Sequence, residues 1–165
     1  MRAAPEFEDL FVEEYPRIVR TVFFIVQDQG RAEEVTQDAF VQLLRHWAKV
    51  RDYDRPGAWV RRVALRLAVR TARREQRQAA LAARLRPQQV QELPVFPISP
   101  ETMAALRSLP VKERAVVVLH YLEDHPIDEI ADLLECTPSA VKMRLSRARH
   151  HLSDLLGEEV SSHVG

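Results

Sequence analysis

Apolar residues recur along this chain in stripes at helical spacing, from near its start almost to its end. Phe7, Leu10, Phe11, Tyr15, Ile18, Val22 and Val26 form the first stripe. Positions three or four apart share one face of a helix, so the stripe predicts an amphipathic helix, with Asp28 to Gly30 as its stop. Ala32, Val35, Ala39, Phe40, Leu43, Leu44 and Trp47 predict a second helix, whose other side presents Glu33, Glu34, Gln37, Asp38 and Gln42. A polar loop, residues 51–55, precedes Pro56, which suits the first position of a third helix because its missing N–H would have no partner there. That helix runs to about Gln78 or beyond, with Val60, Val63, Ala64, Leu67 and Ala68 on its buried side. Period-two alternation is nearly absent and there are only 4 glycines, so strands are not expected. The fold class predicted is all-α.

The stretch from Pro87 to Pro100 changes character. Pro87, Pro94, Pro97 and Pro100 interrupt any helix, which predicts an extended, stiff linker over 83–99. Ser99 is a candidate N-cap with Pro100 at the first helical position. Four helices are expected beyond it, at about 100–108, 110–122, 127–134 and 138–156, with a loose tail over 158–165. The pattern therefore gives two small helical domains, 1–82 and 100–157, each near the lower size limit for independent stability.

Residues 127–152 read as two short helices joined by a tight turn. In the second of them Val141, Leu145, Ala148 and Leu152 share one side, leaving Lys142, Met143, Ser146, Arg147 and Arg149 on the remaining surface. Between Cys136 and Ser153 there is no Asp or Glu. A helix whose free side carries only neutral, polar or cationic groups suits the electronegative major groove of DNA. A solvated helix with surface arginines is the bland alternative.

Charge sharpens this picture. The 24 basic and 24 acidic residues cancel, yet from Arg55 to Arg86 there are ten arginines against the single acid Glu75. The opening segment instead carries Glu6, Glu8, Asp9, Glu13 and Glu14. Net neutrality therefore does not argue against a polyanionic partner. On the third helix Arg62, Arg66, Arg70, Arg73 and Arg77 share one side with Trp59, and Tyr53 stands in the loop before it. Guanidinium groups hold phosphates while a ring stacks on an unpaired base, a contact that contributes about 1–3 kcal/mol per base. The competing reading makes both aromatics core residues and the arginines a solubilising face.

Other chemistries find little support. The chain has no phosphate-binding glycine motif and no HExxH, and its histidines make no metal-ligand spacing with a cysteine pair. Cys136 has no neighbouring His to activate it, so no catalytic residue, cofactor or metal is expected. With one cysteine no internal disulfide can form, which suits a reducing compartment. No apolar run is long enough to span a bilayer and the start lacks a secretory pattern, so the expected location is cytoplasmic.

Four stretches together carry a family resemblance: AEEVTQDAFVQLLRHW (32–47), RPGAWVRRVALRLAVRTARR (55–74), LRSLPVKERAVVVLHYLED (106–124) and the helix-turn-helix. In their order and spacing the chain resembles the extracytoplasmic-function (ECF) sigma factors of bacterial RNA polymerase, within the sigma-70 family. The resemblance implies sigma domain 2 and sigma domain 4 joined by a linker, and core RNA polymerase as partner through its β′ clamp helices and β flap. It also admits an anti-sigma factor. It implies that Glu34, Gln37 and Asp38 bind the clamp helices. It assigns −10 recognition and melting to Tyr53, Trp59, Arg62, Arg66, Arg70 and Arg73. It assigns −35 reading to Thr137, Ser139, Lys142, Met143, Ser146, Arg147 and Arg149. The chain departs from the family pattern at Arg66 and Arg70, where Asn and Asp are common, and at Glu135, where the turn before Cys136 usually has glycine. Because glycine takes a left-handed conformation cheaply, Glu135 predicts a turn that closes differently. Two other classes stay open: a helix-turn-helix regulator that never joins polymerase, and an interaction protein whose basic faces bind acidic protein.

Overall fold

The computed structural model describes the backbone of residues 6–82 and 98–164, and side chains as far as Leu155. The chain divides into two units, residues 1–95 and 96–165. Every regular element among the described residues is helical. The expected linker lies outside the described residues except for Ile98 and Ser99.

Unit one consists of α1 (Phe7–Val26), α2 (Gln29–Arg45), the single turn α3 (Trp47–Val50) and the long α4 (Pro56–Ala82). α1, α2 and α4 pack against one another. Near the end of α1 the consecutive residues Val22, Phe23, Phe24 and Ile25 are each no more than 1% exposed. The helix is therefore covered on all sides there. Each buried side chain of this size contributes about 1.5–3 kcal/mol.

The segment expected to stop the first helix has a second role. Gln27, at φ 60°, closes α1 and returns its N–H to the Phe23 carbonyl at 2.7 Å. Asp28 then caps α2, its carboxylate accepting from the Arg31 N–H at 2.9 Å, and Gly30 lies inside α2. The second stripe also needs correction. Leu44 is 59% exposed, beside an exposed Val41, because Leu43 already fills the inward position of that turn.

Glu14 sits on the first apolar stripe and is buried. It is met by Arg61 of α4, whose Nη2 lies 2.8 Å from its Oε2. α2 and α4 are joined at the surface by Arg31 Nε and Glu75 Oε1 at 2.7 Å. Burial pushes the Glu75 carboxyl above its ordinary range; Arg31 pulls it back, while Asp28 and Glu34 add to the rise.

Unit two contains α5 (Pro100–Ser108), α6 (Val111–Val117), α7 (Ile127–Leu133) and α8 (Pro138–Val164), and α6 passes directly into one π-helical turn, Val118–Leu122. α6 and α7 both pack on α8. Ser99 caps α5 as the sequence predicts, accepting from the Thr102 N–H at 3.2 Å, with Pro100 opening the helix. Helical backbone continues past Gly157 to Val164.

The end of α5 depends on a side chain from α6. Arg114, 6% exposed, donates to the carbonyls of Leu106 (2.8 Å), Leu109 (3.1 Å) and Arg107 (3.2 Å). Carbonyls of a last helical turn have no partner within their own helix, and a guanidinium fork can satisfy several at once. Burial first, and the nearby Arg107 second, pull its pKa down to about 10, so the group remains a cation at neutral pH.

The turn between α7 and α8 keeps its left-handed residue without glycine. Glu135 adopts φ 54°, its N–H reaches the Asp132 carbonyl at 3.3 Å, and the Cys136 N–H reaches that of Ala131 at 3.0 Å. These paired bonds make a Schellman closure, so the turn does not close differently. The side chain instead bears the strain.

Two outcomes follow for stability. Arg114→Leu is expected to destabilise unit two by about 3 kcal/mol, since it leaves buried carbonyls unpaired. Amide exchange on the intact chain should show α5 and α6 opening more readily while α1 and α4 are unchanged. Glu135→Gly is expected to stabilise unit two by about 0.5–1 kcal/mol, the relief of left-handed strain less the added freedom of the unfolded chain. A denaturant titration followed by the same amides measures it.

Candidate nucleic-acid interface

α8 is set on unit two by its apolar side. Val141 and Ala148 are fully buried and Leu145 is 1% exposed. Thr137 caps the helix, its Oγ1 accepting from the Ala140 N–H at 3.1 Å. Thr137 and Ser139 are exposed at this opening turn, and Lys142, Met143, Ser146 and Arg147 are exposed beyond it. The geometry thus brings the sequence-predicted side chains onto one helix with its first turn capped. Arg144 is half-buried, its Nη1 3.7 Å from Cys136 Sγ. The lone thiol therefore packs at the turn.

Arg149 stands apart from that group. Its Nε donates to Tyr121 Oη at 2.7 Å, and the guanidinium carbon lies 5.9 Å from the centre of the Tyr121 ring. Both residues line a groove of about 480 Å3 within unit two, together with Leu106, Val117, Leu122 and Leu152. Its lining is mostly apolar side chains from α5, α6 and α8. The sequence reading missed the groove, since residues about 45 apart in the chain meet there and no local pattern announces them.

On the other side of α8 His151 Nδ1 lies 2.7 Å from Glu113 Oε2, a carboxylate that is otherwise buried. This fixes α8 against α6. His150 is exposed and pairs with Asp154 at 3.6 Å.

In unit one the basic side of α4 has a graded exposure. Arg66, Arg70 and Arg73 are exposed, whereas Trp59 and Arg62 are half-buried. The Trp59 ring lies 5.7 Å from that of His46, and the Arg62 Nε is buried with no hydrogen-bond partner among the described residues. Tyr53, in the loop before α4, is 42% exposed. An exposed phenol, a half-open indole and a file of guanidinium groups make a surface able to stack on bases and hold phosphates.

The acidic side of α2 is also open. Glu34 and Asp38 are exposed, with Glu34 3.4 Å from Arg31, and Gln37 Nε2 reaches Tyr15 Oη at 3.5 Å. Val41 and Leu44 extend this side with exposed apolar surface. The sequence reading placed Leu44 in the core and left Val41 unassigned. Carboxylates bordered by bare aliphatic groups suit a partner that offers both cations and apolar contacts.

Comparison with known proteins agrees on both units. Residues 10–78 match the model of Sigma-70 region 2, and residues 101–152 match that of Sigma-70, region 4. RNA polymerase sigma factor CarQ of Myxococcus xanthus is 30% identical over an alignment covering 94% of this chain and 92% of CarQ. ECF RNA polymerase sigma factor SigE of Mycolicibacterium smegmatis is 28% identical across 96% of this chain, which spans 65% of that relative's length. Among solved structures, sigma factor RpoE with the anti-sigma factor NepR from Bartonella quintana is similar in fold at a TM-score of 0.67, with 21% identity, 92% of this chain and 96% of that one. CnrH in complex with the cytosolic domain of CnrY gives a TM-score of 0.63, 23% identity, and coverage of 92% and 88%. With sigma region 2 and region 4 in order on one chain, and a relative matched over nearly its full length, the chain belongs to the sigma-70 family as an ECF RNA polymerase sigma factor.

Proposed function

We propose that this sigma factor brings core RNA polymerase to its promoters by dividing the template between two surfaces. Unit two takes duplex DNA at the −35 element. Lys142, Met143, Ser146 and Arg147 enter the major groove, with Thr137 and Ser139 beside the backbone at the opening of α8. Phosphate contacts set the register and a few base-edge contacts supply the sequence preference. Arg149, held by Tyr121, contributes charge from the flank of that helix. Unit one takes the −10 element once its strands part. Tyr53 and Trp59 stack on unpaired bases while Arg62, Arg66, Arg70 and Arg73 hold the phosphates.

Glu34, Gln37 and Asp38, with Val41 and Leu44 around them, dock on the β′ clamp helices. The apolar groove of unit two is the seat for the β flap. An anti-sigma factor is a further partner, as in the RpoE–NepR complex of related fold. The work is cytoplasmic, where template and polymerase are; among the described residues no helix is long and apolar enough to cross a membrane. The chain acts by binding and carries out no reaction of its own.

The single observation that carries this function is the open face of α8 between Ser139 and Arg149: exposed cations and neutral groups, with no acid in that stretch, on a helix capped and closed as a helix-turn-helix. Arg147→Ala is expected to weaken binding of the holoenzyme to −35 duplex by about 1–3 kcal/mol and to leave affinity for core polymerase unchanged. Fluorescence anisotropy on labelled duplex and on labelled core measures the two. Equal losses in both would contradict the division of roles.

A further inference from the structure

Glu14 has no part in the surfaces described so far, yet it is the buried acid of α1. Its side chain is 9% exposed and that of Arg61 is 23% exposed, so the 2.8 Å contact between them is largely withdrawn from water. A carboxylate in such a place is costly unless a partner meets it. The partner here comes from α4, 47 residues along the chain.

The same carboxylate lies against Gly57, in the first turn of α4. A Cβ on Gly57 would stand 3.0 Å from Glu14 Oε1 and 3.2 Å from its Cδ. A Cβ there would be a tight contact that pushes the carboxylate aside by a few tenths of an ångström. Negative charge beside the first turn also favours the positive end of the helix. Glu14 thus grips α4 twice: by charge at Arg61 and by fit at Gly57.

The gripped turn carries the strand-facing aromatics. The loop holding Tyr53 leads into Pro56, and Trp59 lies between Gly57 and Arg61, with its ring beside His46 at the end of α2. Movement of that first turn against α1 would displace the indole relative to α2. The exposed arginines further along α4 would be affected less.

We propose that Glu14, Arg61 and Gly57 form a positioning element for capture of the unpaired −10 strand. Building on the proposed function, it assigns these residues no contact with DNA. They hold the start of α4 on α1, so that Tyr53 and Trp59 are arranged before a strand arrives. A surface ordered in advance spends less of its interaction energy on ordering when it binds.

The test uses holoenzyme assembled from core polymerase and the intact chain. Glu14→Gln removes the charge with little change of shape, Gly57→Ala pushes on the carboxylate without altering any charge, and Arg61→Lys retains a cation. Affinity is measured for a single-stranded −10 oligonucleotide, for −35 duplex and for core polymerase. Glu14→Gln and Gly57→Ala are expected to weaken oligonucleotide binding about tenfold each, with less than additive loss when combined. Arg61→Lys should retain most of the binding that Arg61→Ala loses. Core affinity, part of which the proposed function puts on α2 of the same unit, should stay within about twofold of wild type.

Oligonucleotide and core affinity falling together would reveal a merely structural role and overturn the proposal. Unchanged oligonucleotide binding in folded variants would overturn it too. If the wild-type holoenzyme does not bind the oligonucleotide at all, strand capture by unit one fails, and the proposal fails with it.

Discussion

A charge taken out of water must be met inside the protein, and in each unit one such contact ties two helices together. In unit one Glu14 of α1 draws Arg61 of α4 across the bundle. In unit two Arg114 of α6 gathers the carbonyls that α5 leaves open at its end. Apolar burial is non-directional, so by itself it leaves packed helices loosely specified. Direction and register come from these polar contacts, which tolerate little displacement.

Beyond those internal contacts, exposed cations line α4 and α8. On α4 they follow one side of a long helix and have aromatics at its start. On α8 they occupy the side opposite the stripe Val141, Leu145 and Ala148. The two surfaces differ in kind. A major groove asks for a narrow helix with short polar and cationic side chains, whereas an unpaired strand asks for rings and guanidinium groups. On the proposed function, that difference lets one neutral chain address both forms of its template. The acids gather in other segments, at the start of α1, on α2 and over residues 123–135.

Much of this was legible in the residues. The α8 stripe follows from period alone, and Ser99 with Pro100 marked the start of α5, because both signals are local. The exposed positions of Lys142, Met143, Ser146 and Arg147 follow from the same period. Other features were hidden for physical reasons. Asp28 was read as a stop although it caps the next helix, since the same short polar side chains serve at both ends. Glu135 argued against a left-handed turn, yet the backbone bonds to Ala131 and Asp132 outweigh its strain. Leu44 looked like core because hydrophobicity does not distinguish a buried leucine from one exposed beside Val41. Glu14 read only as one acid of the opening segment, because its pairing with Arg61 spans α1 to α4 and leaves no local signal. The groove beside Tyr121 is a product of tertiary packing and left no trace in the pattern.

The most direct test of the central claim is run-off transcription with purified sigma-free core polymerase on genomic fragments, with and without this chain. The account predicts discrete start sites that appear only when the chain is present, each preceded by a shared pair of sequence elements. Folded protein that yields no start sites beyond those of core polymerase alone would contradict it.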